Sequence, residues 1–214
     1  MRIGKHRRGR GKAAMTLNDN AYASFLLDYA AGSLSPAEQL VGDLHRALSV
    51  EGRANSRMLD AFGGALLESG RPEVVAGREP SLPDPSPQSV RTDGRLAPFL
   101  DRERLLGLPW RKDIFGMKTL PAGLPLSGLL RLDPGERAPG HCHGRRDVTV
   151  VLTGSFADQF GVYERGDLAF AEPGIRHEPR AVGGECCVCL LATEPGRPLS
   201  GFLGLLMSFL PQRS

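Results

Sequence analysis

The hydrophobic positions of the first third of the chain repeat with the period of an α-helix. Between residues 36 and 48 one helix face collects Leu40, Val41, Leu44, Ala47 and Leu48. The stretch before it, Ser35-Pro36-Ala37-Glu38, has the serine, proline and glutamate of a capping box, which fixes the helix start. The pattern therefore predicts an amphipathic helix over these residues.

Two further helices are predicted on either side of this one. The first covers about residues 17–31 and ends at Gly32, and the third covers about residues 54–69. The inner face of the third helix is expected to hold Met58, Leu59, Phe62, Ala65 and Leu66. Three short helices cannot bury all the apolar residues at 40–48 and 58–66 without a partner or a second copy of the chain, so we expect exposed apolar surface there.

The pattern changes twice after the helices. Residues 70–97 are rich in proline, as a poorly packed linker would be. Beyond them the hydrophobic period falls to two, in short runs that predict strands at 126–132, 148–154, 167–173 and 185–193. The fold class expected is therefore α+β multidomain: a basic tail (1–15), a small N-terminal helical domain (16–75), a linker (76–97) and a C-terminal all-β domain (98–214).

Charge and hydropathy indicate where in the cell the protein is expected and which partners it is expected to lack. The net charge of +3 comes from the tail, because residues 15–214 hold 21 basic and 24 acidic residues. Such a tail is expected to bind no specific nucleic acid. The longest apolar run, FLGLLMSFL at 202–210, suits a buried strand and is too short for a membrane span. Without an export signal, a cytoplasmic protein with no membrane partner is expected.

Four residues of the β region are candidate metal ligands. His141 and His143 share one face of a predicted strand, Asp147 follows after a glycine-containing bend, and His177 comes just after a Pro-Gly turn. Nitrogen and oxygen ligands of this kind suit Zn²⁺, Mn²⁺ or Fe²⁺. The alternative is that HCHGRRD at 141–147 is only a polar surface turn.

The spacing of these residues resembles the two-part motif of the cupins. Gly135, His141, His143, Asp147 and Gly154 form the first part, and Gly166, Gly174 and His177 the second. Aspartate stands where glutamate is usual, and it is one methylene shorter. The resemblance implies a double-stranded β-helix, or jelly-roll barrel, with one divalent transition metal; zinc is favoured, and iron or manganese are the alternatives.

The resemblance extends to the ChrR-type anti-sigma factors. It rests on DYAAGSLSPAEQL (28–40), GGALLE (63–68), the cupin pattern and CVCLLATE (187–194), and covers residues 16–69 and 98–214. It implies cytoplasmic proteins whose helical domain binds an extracytoplasmic-function (ECF) sigma factor. It also implies a cupin needed for the response to singlet oxygen or organic peroxide.

The chain departs from that family in its helices. The resemblance implies a zinc held there by two histidines and two cysteines. Here only His45 is present, and Asn20, Ser49 and Gly52 stand at the other three positions. One histidine cannot hold structural zinc, so we expect no metal in residues 1–75. The family's fourth helix is replaced by the proline-rich stretch, which reduces the surface available for a sigma factor.

Two alternatives remain open from the residues. Cys187 and Cys189 share a strand face and are either small buried hydrophobes or thiols sensitive to oxidants. Cys142 and Cys186 are expected to face away from the metal and from this pair, respectively. The chain itself is either a regulator without enzymatic activity or a cupin dioxygenase or isomerase, in which Arg145, Arg146 or Arg176 binds an anionic substrate.

Overall fold

A computed structural model describes residues 17–70, 94–113 and 116–195 of the chain. The predicted basic tail, most of the proline-rich linker and the apolar run at 202–210 lie outside these residues. Their interpretations, and the domain boundaries drawn through them, stay predictions. Among the described helices, none is long and apolar enough to cross a membrane.

Three helices form the N-terminal region: α1 (Leu17–Ala31), α2 (Pro36–Leu48) and α3 (Val50–Ser69). The capping box is confirmed, because the Glu38 backbone N–H donates to the Ser35 side chain and the Ser35 backbone N–H donates to the Glu38 carboxylate. The third helix begins four residues earlier than predicted. The reason is Ser49, which ends α2 and also caps α3 by accepting a hydrogen bond from the Gly52 N–H.

The apolar faces of α2 and α3 differ in burial. Val41 and Leu44 of α2 are fully buried. Of the predicted inner face of α3, Leu59 packs against the core. The prediction is wrong for Met58, Phe62 and Leu66, which are 62%, 61% and 56% exposed. The exposed apolar surface expected of the helices is thus found on α3, whereas the face of α2 is covered by the β domain.

The β domain follows two short helices, α4 (Ala97–Leu100) and α5 (Arg102–Leu106). Its strands are β1 (Arg111–Lys112), β2 (Lys118–Pro121), β3 (Ser127–Leu132), β4 (His141–Cys142), β5 (Asp147–Thr153), β6 (Ser155–Asp158), β7 (Gly161–Glu164), β8 (Leu168–Ala171), β9 (Arg176–His177), β10 (Arg180–Ala181) and β11 (Cys187–Thr193). The four predicted runs correspond to β3, β5, β8 and β11, each within three residues at either end.

These strands build antiparallel sheets. Six form a sheet in the order β1-β2-β3-β11-β5-β8, three form a second in the order β10-β6-β7, and β4 pairs with β9. A core of residues from both larger sheets lies between them and includes Met117, Phe156, Tyr163, Cys187 and Cys189. The predicted small helical domain followed by an all-β domain is therefore confirmed.

The helices pack on the outer face of the six-stranded sheet. α2 contacts β5 and β11, and α1 contacts β8. Phe25, Val41 and Leu44, all fully buried, belong to one hydrophobic cluster with sheet residues such as Val150 and Leu190. Burying three such side chains stabilises a fold by roughly 5–9 kcal/mol. That is comparable to the whole stability of a typical domain, about 5–15 kcal/mol.

Candidate metal centre

Two short strands and the residue after one of them bring three histidines together. β4 and β9 pair antiparallel with His141 directly opposite His177. His143 follows β4 and forms an isolated bridge to Pro173, which ties it to the turn before β9. The two halves of the motif, 34 residues apart in sequence, therefore meet through backbone pairing.

The three imidazoles converge through their Nε2 atoms. Nε2 of His177 lies 2.8 Å from Nε2 of His143 and 3.1 Å from Nε2 of His141. Ligand nitrogens about 3 Å apart are expected around a metal with bonds of ~2.0–2.1 Å. Within the described part of the chain, His141, His143 and His177 are the one group of three or more candidate ligands.

Each ring has a protein acceptor near its other nitrogen. Nδ1 of His141 donates to the Pro139 carbonyl oxygen at 2.8 Å, and Nδ1 of His177 lies 3.4 Å from Oδ2 of Asp158. Nδ1 of His143 lies 2.7 Å from Oδ2 of Asp147. An acceptor at Nδ1 favours the tautomer with a free lone pair on Nε2, as metal-ligating histidines require.

Asp147, the predicted fourth ligand, lies beside the three histidines, and its role as a ligand stays a prediction. Its carboxylate lies beside the outer nitrogen of His143 and outside the group of three convergent ligand atoms. Although the contact is short, Oδ2 is out of line with the N–H, and Nδ1 of His143 has no aligned hydrogen bond in the structure. The shorter aspartate side chain explains why the carboxylate stops at the histidine ring.

Asp158 was not foreseen from the sequence. It ends β6, between the two halves of the motif, and no spacing rule marks it. Its side chain is 3% exposed and that of Asp147 is 4% exposed. Two buried carboxylates beside three converging histidines supply negative charge that a divalent cation would balance. The donor set therefore fits a divalent transition metal.

The electrostatics keep His141 in the neutral form that binds metals. Burial lowers the pKa of His141 to about 4, and the hydrogen bond to Pro139 only partly opposes this shift. A metal can bind a neutral ring at neutral pH without first displacing a proton from the coordinating nitrogen.

Cys186, Cys187 and Cys189 lie as their alternation along β11 predicted. Cys187 and Cys189 are buried in the core between the sheets, with their Sγ atoms 3.6 Å apart. The hydrogen bond with Cys187, and after it burial, raise the pKa of the Cys189 thiol. A protonated, buried thiol is a poor nucleophile. The geometry thus favours the packing interpretation. Cys186 lies apart from this pair, with its Sγ 3.5 Å from Arg131 and from Asp133.

The residues at the implied zinc positions of the helices form no metal cluster among the described residues. His45 is buried, with hydrogen bonds at both ring nitrogens. Ser49 caps α3, Asn20 is exposed, and Gly52 packs against the ring of His45.

The arginines considered for an anionic substrate have protein neighbours. Arg146 lies 3.9 Å from Glu194, and the guanidinium of Arg176 packs against Gly140. Glu178, which follows His177, lies 3.4 Å from Arg137 and so faces away from the three histidines.

Comparison with known proteins agrees with this geometry. A family profile described as "ChrR Cupin-like domain" matches residues 124–196. The anti-sigma-E factor ChrR of Cereibacter sphaeroides is 34% identical over 209 residues, which cover 90% of this chain and 97% of that protein. The crystal structure of Rhodobacter sphaeroides SigE in complex with the anti-sigma ChrR is similar at 35% identity. Its TM-score is 0.61, with 80% of this chain and 96% of that chain covered.

Proposed function

The chain belongs to the family of ChrR anti-sigma factors, and on this premise we propose that it binds an ECF sigma factor through its N-terminal helices. Its metal-binding cupin domain would then control release of the sigma factor under oxidative stress. The relative in the matched crystal structure is bound to SigE, which supports a sigma factor as the partner. The proposed site of action is the cytoplasm.

The observation that carries this proposal is the apolar stripe of α3, formed by Met58, Phe62 and Leu66. These residues are spaced four apart, so their side chains lie on one side of the helix. All three are more than half exposed. Large apolar side chains grouped on a surface mark protein interaction sites. Hydrophobic anchors at this spacing suit a helix that packs against a partner's groove or helices.

The stripe stays accessible while α2 is covered. α2 buries its apolar face on the six-stranded sheet, whereas the buried residues of α3 are only Gly52 and Ser56, near its N-terminal end. A partner can therefore approach α3 without displacing the cupin domain.

For the cupin domain we propose one divalent transition metal, bound by His141, His143 and His177. Zinc is the metal we favour, and iron and manganese have the same ligand preferences. Asp147 and Asp158 would orient His143 and His177 and balance the charge of the ion. When bound, the metal would supply a reactive or exchangeable coordination position for the oxidant. Cys187 and Cys189 would contribute to the sensor only after the core that buries them opens.

An anti-sigma role also argues against the enzyme alternative, a cupin dioxygenase or isomerase. The relative that covers nearly the whole chain is a regulator, and the helices that such an enzyme would not need are included in that match.

The experiment is co-purification of the full chain with each sigma factor of its source genome, with and without oxidant. We expect one sigma factor to co-purify and Phe62→Asp to reduce its retention at least tenfold. Phe160→Asp is the matched control, because Phe160 is also exposed (47%) but lies at a turn of the β domain. Equal retention by the two variants would place the binding surface elsewhere, and retention of no sigma factor would reject the function.

A further inference from the structure

The junction between the helices and the cupin domain contains a chain of buried and partly buried hydrogen bonds. Nδ1–H of His45 donates to the carbonyl oxygen of Gly166, 2.6 Å away in the turn between β7 and β8. Its Nε2 must then be the acceptor, so the Tyr22 hydroxyl donates to it at 3.0 Å. The Asn55 side-chain amide in turn donates to the Tyr22 oxygen at 3.0 Å. One chain thus joins α3, α1, α2 and the cupin turn.

Two glycines allow the close approach that this chain requires. Gly166 has a φ of +93°, a backbone conformation that residues with a side chain rarely adopt. A side chain there would come within 2.9 Å of the Leu48 carbonyl carbon and 3.0 Å of the Ser49 nitrogen. A side chain at Gly52 would come within 2.7 Å of the His45 ring. The cupin turn therefore sits directly against the backbone that links α2 and α3.

Apolar packing extends the same interface. Leu44, one residue before His45, is fully buried in a cluster that continues into β5 and β11. Phe25 of α1 packs edge-on against Phe170 of β8, with ring centroids 5.7 Å apart. The apolar faces of α1 and α2 are thus satisfied by the sheet as well as by one another.

We propose that the cupin domain is the structural partner on which the three N-terminal helices are held, through His45, Leu44 and Phe25. The helices and the cupin then form one body that stays together without relying on the chain that connects them. The resemblance to the family implies a zinc ligand at the position of His45. In this chain, His45 instead forms hydrogen bonds within the protein. This inference does not rest on sigma-factor binding.

A consequence concerns how a signal would travel. The turn that receives His45 leads straight into β8, which pairs with β5, so packed residues connect the helices to the cupin sheet without a break. A regulator built in this way would respond as a unit.

The test is to cut the chain between the two parts in the full-length protein. A specific protease site is inserted after Pro85, the purified protein is cleaved, and the pieces are run on a native sizing column at micromolar concentration. We expect the two pieces to co-elute. Their separation after cleavage would overturn the proposal.

Two leucine variants of the cleavable protein sharpen the test. Leu44→Asp places a charge in the interface, and we expect its cleaved pieces to separate. Leu67→Asp makes the same change at a residue of α3 that is 84% exposed, and its pieces should co-elute. Identical behaviour of the two variants would overturn the assignment of the interface. For His45→Ala we expect about tenfold weaker association of the pieces, from the lost hydrogen bonds.

Discussion

Two buried histidine sites of this protein use the same side chain in opposite ways. At the domain junction, Nδ1–H of His45 donates to the Gly166 carbonyl oxygen, and Nε2 accepts a hydrogen bond from the Tyr22 hydroxyl. At the metal centre, each histidine has an acceptor near Nδ1, while its Nε2 points to the other two. The junction therefore leaves no ring nitrogen of His45 available to bind a metal, whereas the metal centre leaves three Nε2 atoms that converge.

The difference teaches that burial alone does not identify a metal ligand. Burial lowers the pKa of His45, as it lowers that of His141, so both rings are neutral at pH 7. What separates them is the use of the second nitrogen, which depends on partners distant in sequence. The comparison gives three predictions about metal content, outer contacts and pH.

The largest effect is expected from removal of a ligand. His143→Ala should lower metal affinity by more than about 100-fold, because losing a ligand costs more than losing an outer contact. His45→Ala should leave the metal content of the full-length protein equal to that of the wild type, which we expect to be one per chain. Elemental analysis after dialysis against a graded series of chelators measures both.

The opposite pattern of metal content in these two variants would contradict the distinction drawn between the two histidine sites. Loss of metal in His45→Ala with retention in His143→Ala would mean that the helices hold the ion. Loss in both would mean that the two sites are coupled through the fold, which circular dichroism of the metal-free proteins would reveal.

A smaller effect is expected from the carboxylate beside His143. Asp147→Ala should weaken metal binding by roughly 10–100-fold, as outer contacts to ligating histidines typically do. Asp147→Glu should hold or raise the affinity, because its longer side chain restores the reach of a direct ligand. Competition with a fluorescent zinc chelator gives both constants, and Glu178→Ala, which removes a carboxylate paired with Arg137, is the control. Wild-type affinity in Asp147→Ala would show that the Asp147 carboxylate neither orients His143 nor balances the charge of the ion.

Local signals made much of this fold predictable from sequence. The capping box at Ser35 fixed the start of α2, and alternation of apolar residues marked β3, β5, β8 and β11 within a few residues. The spacing of His141, His143 and His177 was enough to foresee their convergence, because it reflects a fixed backbone pairing. These features depend on residues near one another or on a known spacing.

Features that depend on distant partners were not predictable. The bond from His45 to Gly166 spans 121 residues, and no pattern connects the two. Asp158 reaches His177 from another sheet. The period of α3 showed that Met58, Phe62 and Leu66 share a face, but periodicity cannot tell whether that face meets the protein's own core or a partner.

The smallest expected effect concerns pH and the junction. Because burial lowers the folded-state pKa of His45 below the ordinary value of 6.5, the unfolded chain binds a proton more readily than the folded one. The contribution of His45 to stability is therefore fully present above pH 6.5 and is lost as the pH falls below it. Between pH 7 and pH 6 the loss should be at most about 0.7 kcal/mol, the limit for one such group by linkage.

Urea unfolding of wild type and His45→Gln at both pH values measures this loss, since glutamine does not titrate and the cupin histidines contribute equally to both proteins. The stability of wild type relative to His45→Gln should fall toward pH 6. A rise would mean that His45 is protonated in the folded protein, and the Tyr22 hydroxyl could then no longer donate to its Nε2.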